Sequence, residues 1–202
     1  MLDRFITPVT QKLLNIPARA LVRRNVSADQ VTLAGFVLGM LAVPALAFGL
    51  YEIALGFIAL NRLADGLDGA VARLTHTTDA GGYLDIVLDF IFYSAVVFGF
   101  LLASPVENAL PAALLMLSFM GTGATFLAFA SIAAKRGIEN VHYPNKSLHY
   151  MGGITEGFET IAAFVLFCLF PQYFPELAYG FAALCWITAL SRLWSGYRTL
   201  QN

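Results

Sequence analysis

Apolar residues come in six long runs, at about 31–50, 53–72, 84–103, 109–134, 155–172 and 177–197. A helix needs roughly 20 mostly apolar residues to cross a bilayer, and each run approaches or exceeds that length. Only 12% of the 202 residues are charged and 58% are apolar, against about a quarter charged in soluble domains. So few polar side chains cannot clothe a water-facing surface. The reading is an all-α integral membrane protein, a bundle of six transmembrane helices. Two cysteines, Cys168 and Cys185, both inside apolar runs, exclude a disulfide scaffold. A net charge of −1 excludes a dedicated nucleic-acid binder.

Breakers mark the turns: Ser104-Pro105, Pro144-Asn145 and Pro171. Pro44 and Pro111 fall inside runs, where a packed bundle tolerates a kink. Residues 1–30 lack the short apolar core and small-residue cleavage site of a signal peptide. They read instead as an amphipathic juxtamembrane helix, with Leu13, Leu14, Leu21 and Val22 beside Lys12, Arg19, Arg23 and Arg24. Residues 31–202 then form the six-span domain.

Sidedness follows from the twelve Lys and Arg residues. Five precede the first run; Arg62 and Arg73 lie around the end of the second; Lys135, Arg136 and Lys146 follow the fourth; Arg192 and Arg198 lie in or after the sixth. The connectors after runs one, three and five carry Glu52, Glu107 and Glu176 and no basic residue. The positive-inside rule therefore puts both termini in the cytoplasm.

Ionisable side chains within spans are costly and mark function, and here they gather in residues 61–89. Asp65 and Asp68 are three apart and Asp85 and Asp89 four apart, so each pair shares a helix face. Four carboxylates at two successive helix ends repel unless neutralised. Paired hard oxygen ligands suit Mg²⁺ or Mn²⁺, which commonly bridge a phosphorylated substrate. Gly66, Gly69, Gly81 and Gly82 allow a ligand to approach the backbone, and Arg73 offers a planar fork for phosphate.

Asp65, Asp68, Gly69, Ala72 and Arg73, followed by Gly81, Asp85 and Asp89, resemble the signature of the CDP-alcohol phosphotransferase (CDP-alcohol phosphatidyltransferase) family, D-x-x-D-G-x-x-A-R leading to G-x-x-x-D-x-x-x-D. Seven residues separate Arg73 from Gly81, where eight is usual. Ser27-Ala28-Asp29-Gln30-Val31-Thr32 is similar to the family's S/T-P-N-x-[VIL]-T entry to its first helix. The resemblance implies a homodimeric enzyme of a bacterial inner membrane. It displaces CMP from CDP-diacylglycerol or another CDP-alcohol and passes the phosphate-linked group to a small alcohol acceptor. It implies a two-metal site of Mg²⁺ or Mn²⁺ held by Asp65, Asp68, Asp85 and Asp89, with Asp89 also the base. Gly69, Ala72, Arg73 and Gly81 would line the cytidine diphosphate pocket.

Other polar groups admit two readings each. Lys135, Arg136 and Lys146 suit either an acceptor's phosphate or anchoring against anionic membrane lipids. Glu156, beside Glu159, suits either acceptor hydroxyls or a buried polar network. Gly121, Gly123 and Ala124 suit close helix packing, including a dimer interface. His76, His142 and His149 read as surface groups. Glycerol 3-phosphate ranks first as acceptor, because it would be drawn to the three cations; serine, inositol phosphate and phosphatidylglycerol are alternatives. An intramembrane prenyltransferase normally needs two aspartate motifs far apart in the chain. A divalent-ion transporter needs carboxylates on several helices near mid-membrane.

Reporter fusions at either terminus check the sidedness. A cytoplasmic reporter should be active at both ends, and an active periplasmic reporter at either would contradict it.

Overall fold

The computed structural model describes residues 14–138 and 152–201, all in helices, turns and short connectors. Residues 14–23 are helical (α1), followed by α2 (Ala28–Met40), α3 (Ala42–Ala47), α4 (Tyr51–Leu74), α5 (Asp79–Ala103), α6 (Pro105–Lys135), α7 (Gly157–Leu169) and α8 (Phe174–Gln201). Among the described residues, four stretches are long and apolar enough to cross a membrane: Ala28–Ala47, Asp79–Ala103, Pro105–Lys135 and Pro171–Gln201. The other two expected spans differ in kind. At 24 residues α4 is long enough, but from its middle onward it carries Arg62, Asp65, Asp68 and Arg73. Helix α7 is apolar but only 13 residues long.

Local chemistry sets these ends. Of the amphipathic helix expected over 1–30, residues 14–23 are helical and residues 1–13 lie outside the described residues. That helix stops short of 30 because Asn25 takes a φ of 57° and the Val26 amide turns back to the Leu21 carbonyl at 3.1 Å. Ser27 then caps α2 through a reciprocal box with Gln30. Pro44 lacks the amide that would bond back across the break at Leu41, so the first run divides into α2 and α3. Pro105 sits at the start of α6, where a missing amide costs nothing. Helix α7 starts only at Gly157 because the preceding backbone is tied to α8. The Ile154 and Thr155 amides donate to the Thr188 hydroxyl at 3.2 and 3.1 Å. Buried Arg192 reaches the Gly152 and Thr122 carbonyls. Pro171 opens the 3-10 turn Pro171–Tyr173 that leads into α8.

Packing pairs α2 with α4, α3 with α5, α5 with α6 and α6 with α8. At one end of the bundle, fully buried phenylalanines interlock: Phe100 stacks on Phe174 at 4.7 Å and meets Phe167 edge-on at 5.8 Å. About 16 and 22 Å away along α5, at 1.5 Å per residue, lie Asp89 and Asp85. Outward-facing Phe48, Ile53, Val106 and Leu110 are exposed, as lipid-facing side chains of a membrane bundle are. Gly121 and Gly123 pack within the chain, against Trp186 and Phe90 respectively. Ala18 of α1 packs with Ala70 and Val71 at the end of α4, flanked by Leu14, Leu21 and Val22.

The closest approach that matters for the site is α2 on α4. Gly35 faces Ala64 and Gly39 faces Asn61, with no room at either for a β-carbon. Small residues of this kind let membrane helices touch backbone to backbone. Gly35→Leu should therefore destabilise the detergent-purified protein by about 1–3 kcal/mol. Gly56→Leu, at an exposed position with nothing within 4 Å, should leave the melting temperature unchanged.

Candidate active site

The second half of α4 and the first half of α5 face each other, with the start of α2 closing one side. A carboxylate oxygen from each of Asp65, Asp85 and Asp89 lies within 4.8 Å of the other two. Asp68, one turn on from Asp65, is buried and turned toward α2, where its Oδ2 accepts a 2.5 Å hydrogen bond from the Thr32 hydroxyl. The two pairs expected from spacing thus become a group of three with a fourth beside it. All four line one narrow notch with Thr32, Gly35, Asn61 and Arg62.

Arg62 enters the notch from α4. Its Nη2 donates to Asp89 Oδ1 at 2.6 Å and its Nη1 to Asp89 Oδ2 at 3.3 Å, with Asp65 Oδ2 at 3.7 Å. The Tyr93 hydroxyl donates to Asp89 Oδ2 at 3.2 Å. Spacing alone marked Arg62 only as a charge that orients the chain. Its place three residues before Asp65 is the signal that could have found it. Thr32 closes the Ser27–Thr32 segment already singled out; Asn61 and Tyr93 carried no signal of their own.

The notch opens into a larger cavity of about 760 Å³, sharing Thr32, Asp68 and Asp85 with it. That volume lies within the range of small-molecule sites, about 300–1,000 Å³. Gly69, Ala72, Arg73 and Gly81, expected to line a nucleotide pocket, all line this cavity, as do Gly82 and the exposed His76. A β-carbon at Gly81 would stand 2.9 Å from Asp29 Oδ1 and 3.0 Å from the Thr78 hydroxyl, so a side chain there would collide with the wall. At Gly69 it would stand 3.2 Å from Arg73 Nη1, which places the guanidinium against that glycine. The shorter spacing between Arg73 and Gly81 is absorbed without moving Gly81 from the cavity: Thr78 caps α5 and accepts from the Gly81 amide at 3.0 Å.

Of the residues considered for an acceptor, the described ones, Lys135, Arg136 and Glu156, are not brought to these cavities. Lys135 and Arg136 are exposed at the end of α6, and Lys146 lies outside the described residues, as do His142 and His149. Glu156 caps α7: its Oε1 accepts from the Gly153 amide at 3.0 Å, and its own amide donates to Glu159 Oε2 at 3.1 Å. Neither Lys135, Arg136 nor Glu156 lines the notch or the larger cavity.

A polytopic helical bundle with aspartates from two adjacent helices facing a nucleotide-sized cavity defines the class, and comparison with known proteins names it. Residues 25–194 match the sequence pattern of the CDP-alcohol phosphatidyltransferase family, and the chain belongs to that family. It is 54% identical over its full 202 residues to the inner membrane protein YnjF of Escherichia coli K12, covering 98% of that protein. A phosphatidylcholine synthase of Brucella melitensis is 27% identical over 176 residues, 84% of this chain and 58% of the relative. The fold matches crystal structures of a Mycobacterium tuberculosis phosphatidylinositol phosphate synthase at 22% identity. With CDP-DAG bound, the TM-score is 0.70 and 92% of this chain and 94% of that one are covered. With manganese and citrate, the TM-score is again 0.70, with 91% and 88% covered.

Thr32 contributes to the site through one bond to a buried carboxylate. Hydrogen bonds to charged groups contribute about 1.5–3 kcal/mol, so Thr32→Val should lower turnover by roughly ten- to a hundredfold. Steady-state kinetics on the folded variant check this, and unchanged turnover would remove Thr32 from the site.

Proposed function

We propose that the protein is a metal-dependent transferase of phospholipid synthesis, moving a phosphatidyl group from CDP-diacylglycerol to an alcohol and releasing CMP. The observation that carries this reading is the acidic notch opening directly into the cavity lined by Gly69, Ala72, Arg73 and Gly81. Family membership favours it over a prenyltransferase or a transporter. The inner-membrane relative supports a multi-pass protein of a bacterial inner membrane, and the six-span count with cytoplasmic termini belongs to the same proposal.

The donor set fits a hard divalent cation. Asp65, Asp85 and Asp89 present only carboxylate oxygens, with Asp68 adjoining, and such ligands select Mg²⁺ or Mn²⁺ over softer metals. Bound there, the cations would offset the charge of the diphosphate and of the departing CMP. Arg73 holds the diphosphate by its guanidinium fork, and the glycines admit the nucleotide against backbone. Asp89 takes the proton of the acceptor hydroxyl as its oxygen bonds to the phosphorus that carries the diacylglycerol. The bond from that phosphorus to the CMP oxygen breaks.

For the acceptor, glycerol 3-phosphate remains the first choice. Its support is the electrostatics of Lys135, Arg136 and Lys146 on one connector, which attract a phosphorylated alcohol. Serine, inositol phosphate and phosphatidylglycerol follow. Neutralising the three cations together should raise the Michaelis constant for glycerol 3-phosphate, leaving that for CDP-diacylglycerol and membrane insertion unchanged. Normal insertion with an unchanged acceptor constant would rule the cluster out as an acceptor site.

CMP release from CDP-diacylglycerol, followed with an acceptor panel in Mn²⁺ or Mg²⁺, tests the activity itself. Excess chelator should abolish release, and Asp68→Asn should cut it by roughly 10³-fold. Full release in chelator would overturn the metal-dependent mechanism.

A further inference from the structure

We propose that Arg62 is the resident counter-ion of the acidic notch, a fixed cation that lowers the notch's affinity for divalent metal before the donor arrives. This rests on the metal site proposed above and goes beyond it.

Among the residues lining the notch, four are aspartates and Arg62 is the cation. A guanidinium stays charged in proteins, so the carboxylates face a permanent positive charge whether or not metal is bound. Arg62 is not a mobile surface side chain. Only 16% of its side chain is exposed. Its Nε and Nη2 both donate to Asn61 Oδ1, at 2.9 and 2.5 Å, and Asn61 Nδ2 in turn donates to the Gly35 carbonyl on α2 at 3.1 Å. The guanidinium carbon lies 5.2 Å from the Phe92 ring centre and 5.3 Å from that of Tyr93. Rings at such distances favour a cation. Three elements thus fix the charge in place.

The aim of that charge is specific. Both Asp89 oxygens already accept from Arg62, Oδ2 also accepts from Tyr93, and Asp65 stands within ion-pair distance. A metal ion entering the group of three therefore meets one carboxylate that is already compensated, and feels direct repulsion from the guanidinium. The same pairing keeps the metal-free notch from being driven apart by its own charge. Metal affinity without donor is set low, and the diphosphate of the donor must add its own negative charge before the site fills.

Mn²⁺ binding to the purified full-length protein in detergent, without donor, is the test, read by electron paramagnetic resonance. Removing one fixed positive charge within ion-pair distance of the ligands should tighten binding, so Arg62→Gln should lower the Mn²⁺ dissociation constant by about tenfold or more. It should also enlarge the rise in melting temperature that Mn²⁺ produces. Arg62→Lys keeps the charge and should stay within about threefold of wild type on both readouts. A purely structural role predicts lower melting temperatures with an unchanged dissociation constant. That result, or weaker binding in Arg62→Gln, overturns the proposal.

If Arg62→Gln folds only in Mn²⁺, its unfolding on chelation while the wild type stays folded supports the counter-ion role. If it folds in neither condition, Arg62→Lys decides. Wild-type-like metal affinity and metal-free melting temperature support the role, and loss of either contradicts it. A wild-type protein that binds no Mn²⁺ even with CDP-diacylglycerol added removes the metal centre itself and this inference with it, whereas wild-type binding with no tightening in Arg62→Gln removes only the inference.

Discussion

Four carboxylates held together at one end of a membrane bundle repel one another, and in surroundings of lowered dielectric that repulsion is not screened as it is in water. Much of the local architecture supplies the groups that hold them. Arg62 lies against Asp89 and Asp65, the Tyr93 hydroxyl against Asp89, and the Thr32 hydroxyl against Asp68. These partners come from α2, α4 and α5, so the site exists only when the three helices are in register. The chemistry is a property of the packing, not of one helix.

That dependence explains the distribution of small and aromatic residues. Gly35 and Gly39 let α2 lie directly on α4, and this closeness lets Asn61 reach the Gly35 carbonyl while its own Oδ1 holds Arg62. At the far end of α5, the stacked phenylalanines Phe100, Phe167 and Phe174 fill the interior with apolar rings. One end of the bundle is therefore dry and interlocked, while the other is polar and open to a cavity large enough for a nucleotide. The transfer proposed above, from a lipid-linked donor to an alcohol, would use both properties.

Much of this was legible beforehand, for definite reasons. Apolar runs report lipid exposure directly, so α2–α3, α5, α6 and α8 follow from the sequence. The aspartate spacing of three and four reports a shared helix face, and the glycines beside them report an open wall. What spacing cannot report is which neighbour a face meets. Asp68 and Asp65 share a face of α4, yet Asp68 turns to Thr32 because α2 supplies a hydroxyl there. Arg62 counted only as an orienting charge because its partner Asp89 is 27 residues away in the chain. The apolar run over 155–172 gave no sign that Thr188 would hold its first residue, Thr155, outside the helix. Nor did it show that Glu156 would be spent as a cap.

The central claim is that the acidic notch and the adjoining cavity form one site, metal on the aspartates and cytidine diphosphate beside them. An experimental structure with Mn²⁺ and CDP-diacylglycerol tests it most directly, with the metal located by its anomalous scattering. The account predicts manganese coordinated by oxygens of Asp65, Asp85 and Asp89, with Asp68 adjoining. It also predicts cytidine density in the cavity between Arg73 and Gly81. Manganese away from the aspartates, or cytidine outside that cavity, would contradict it.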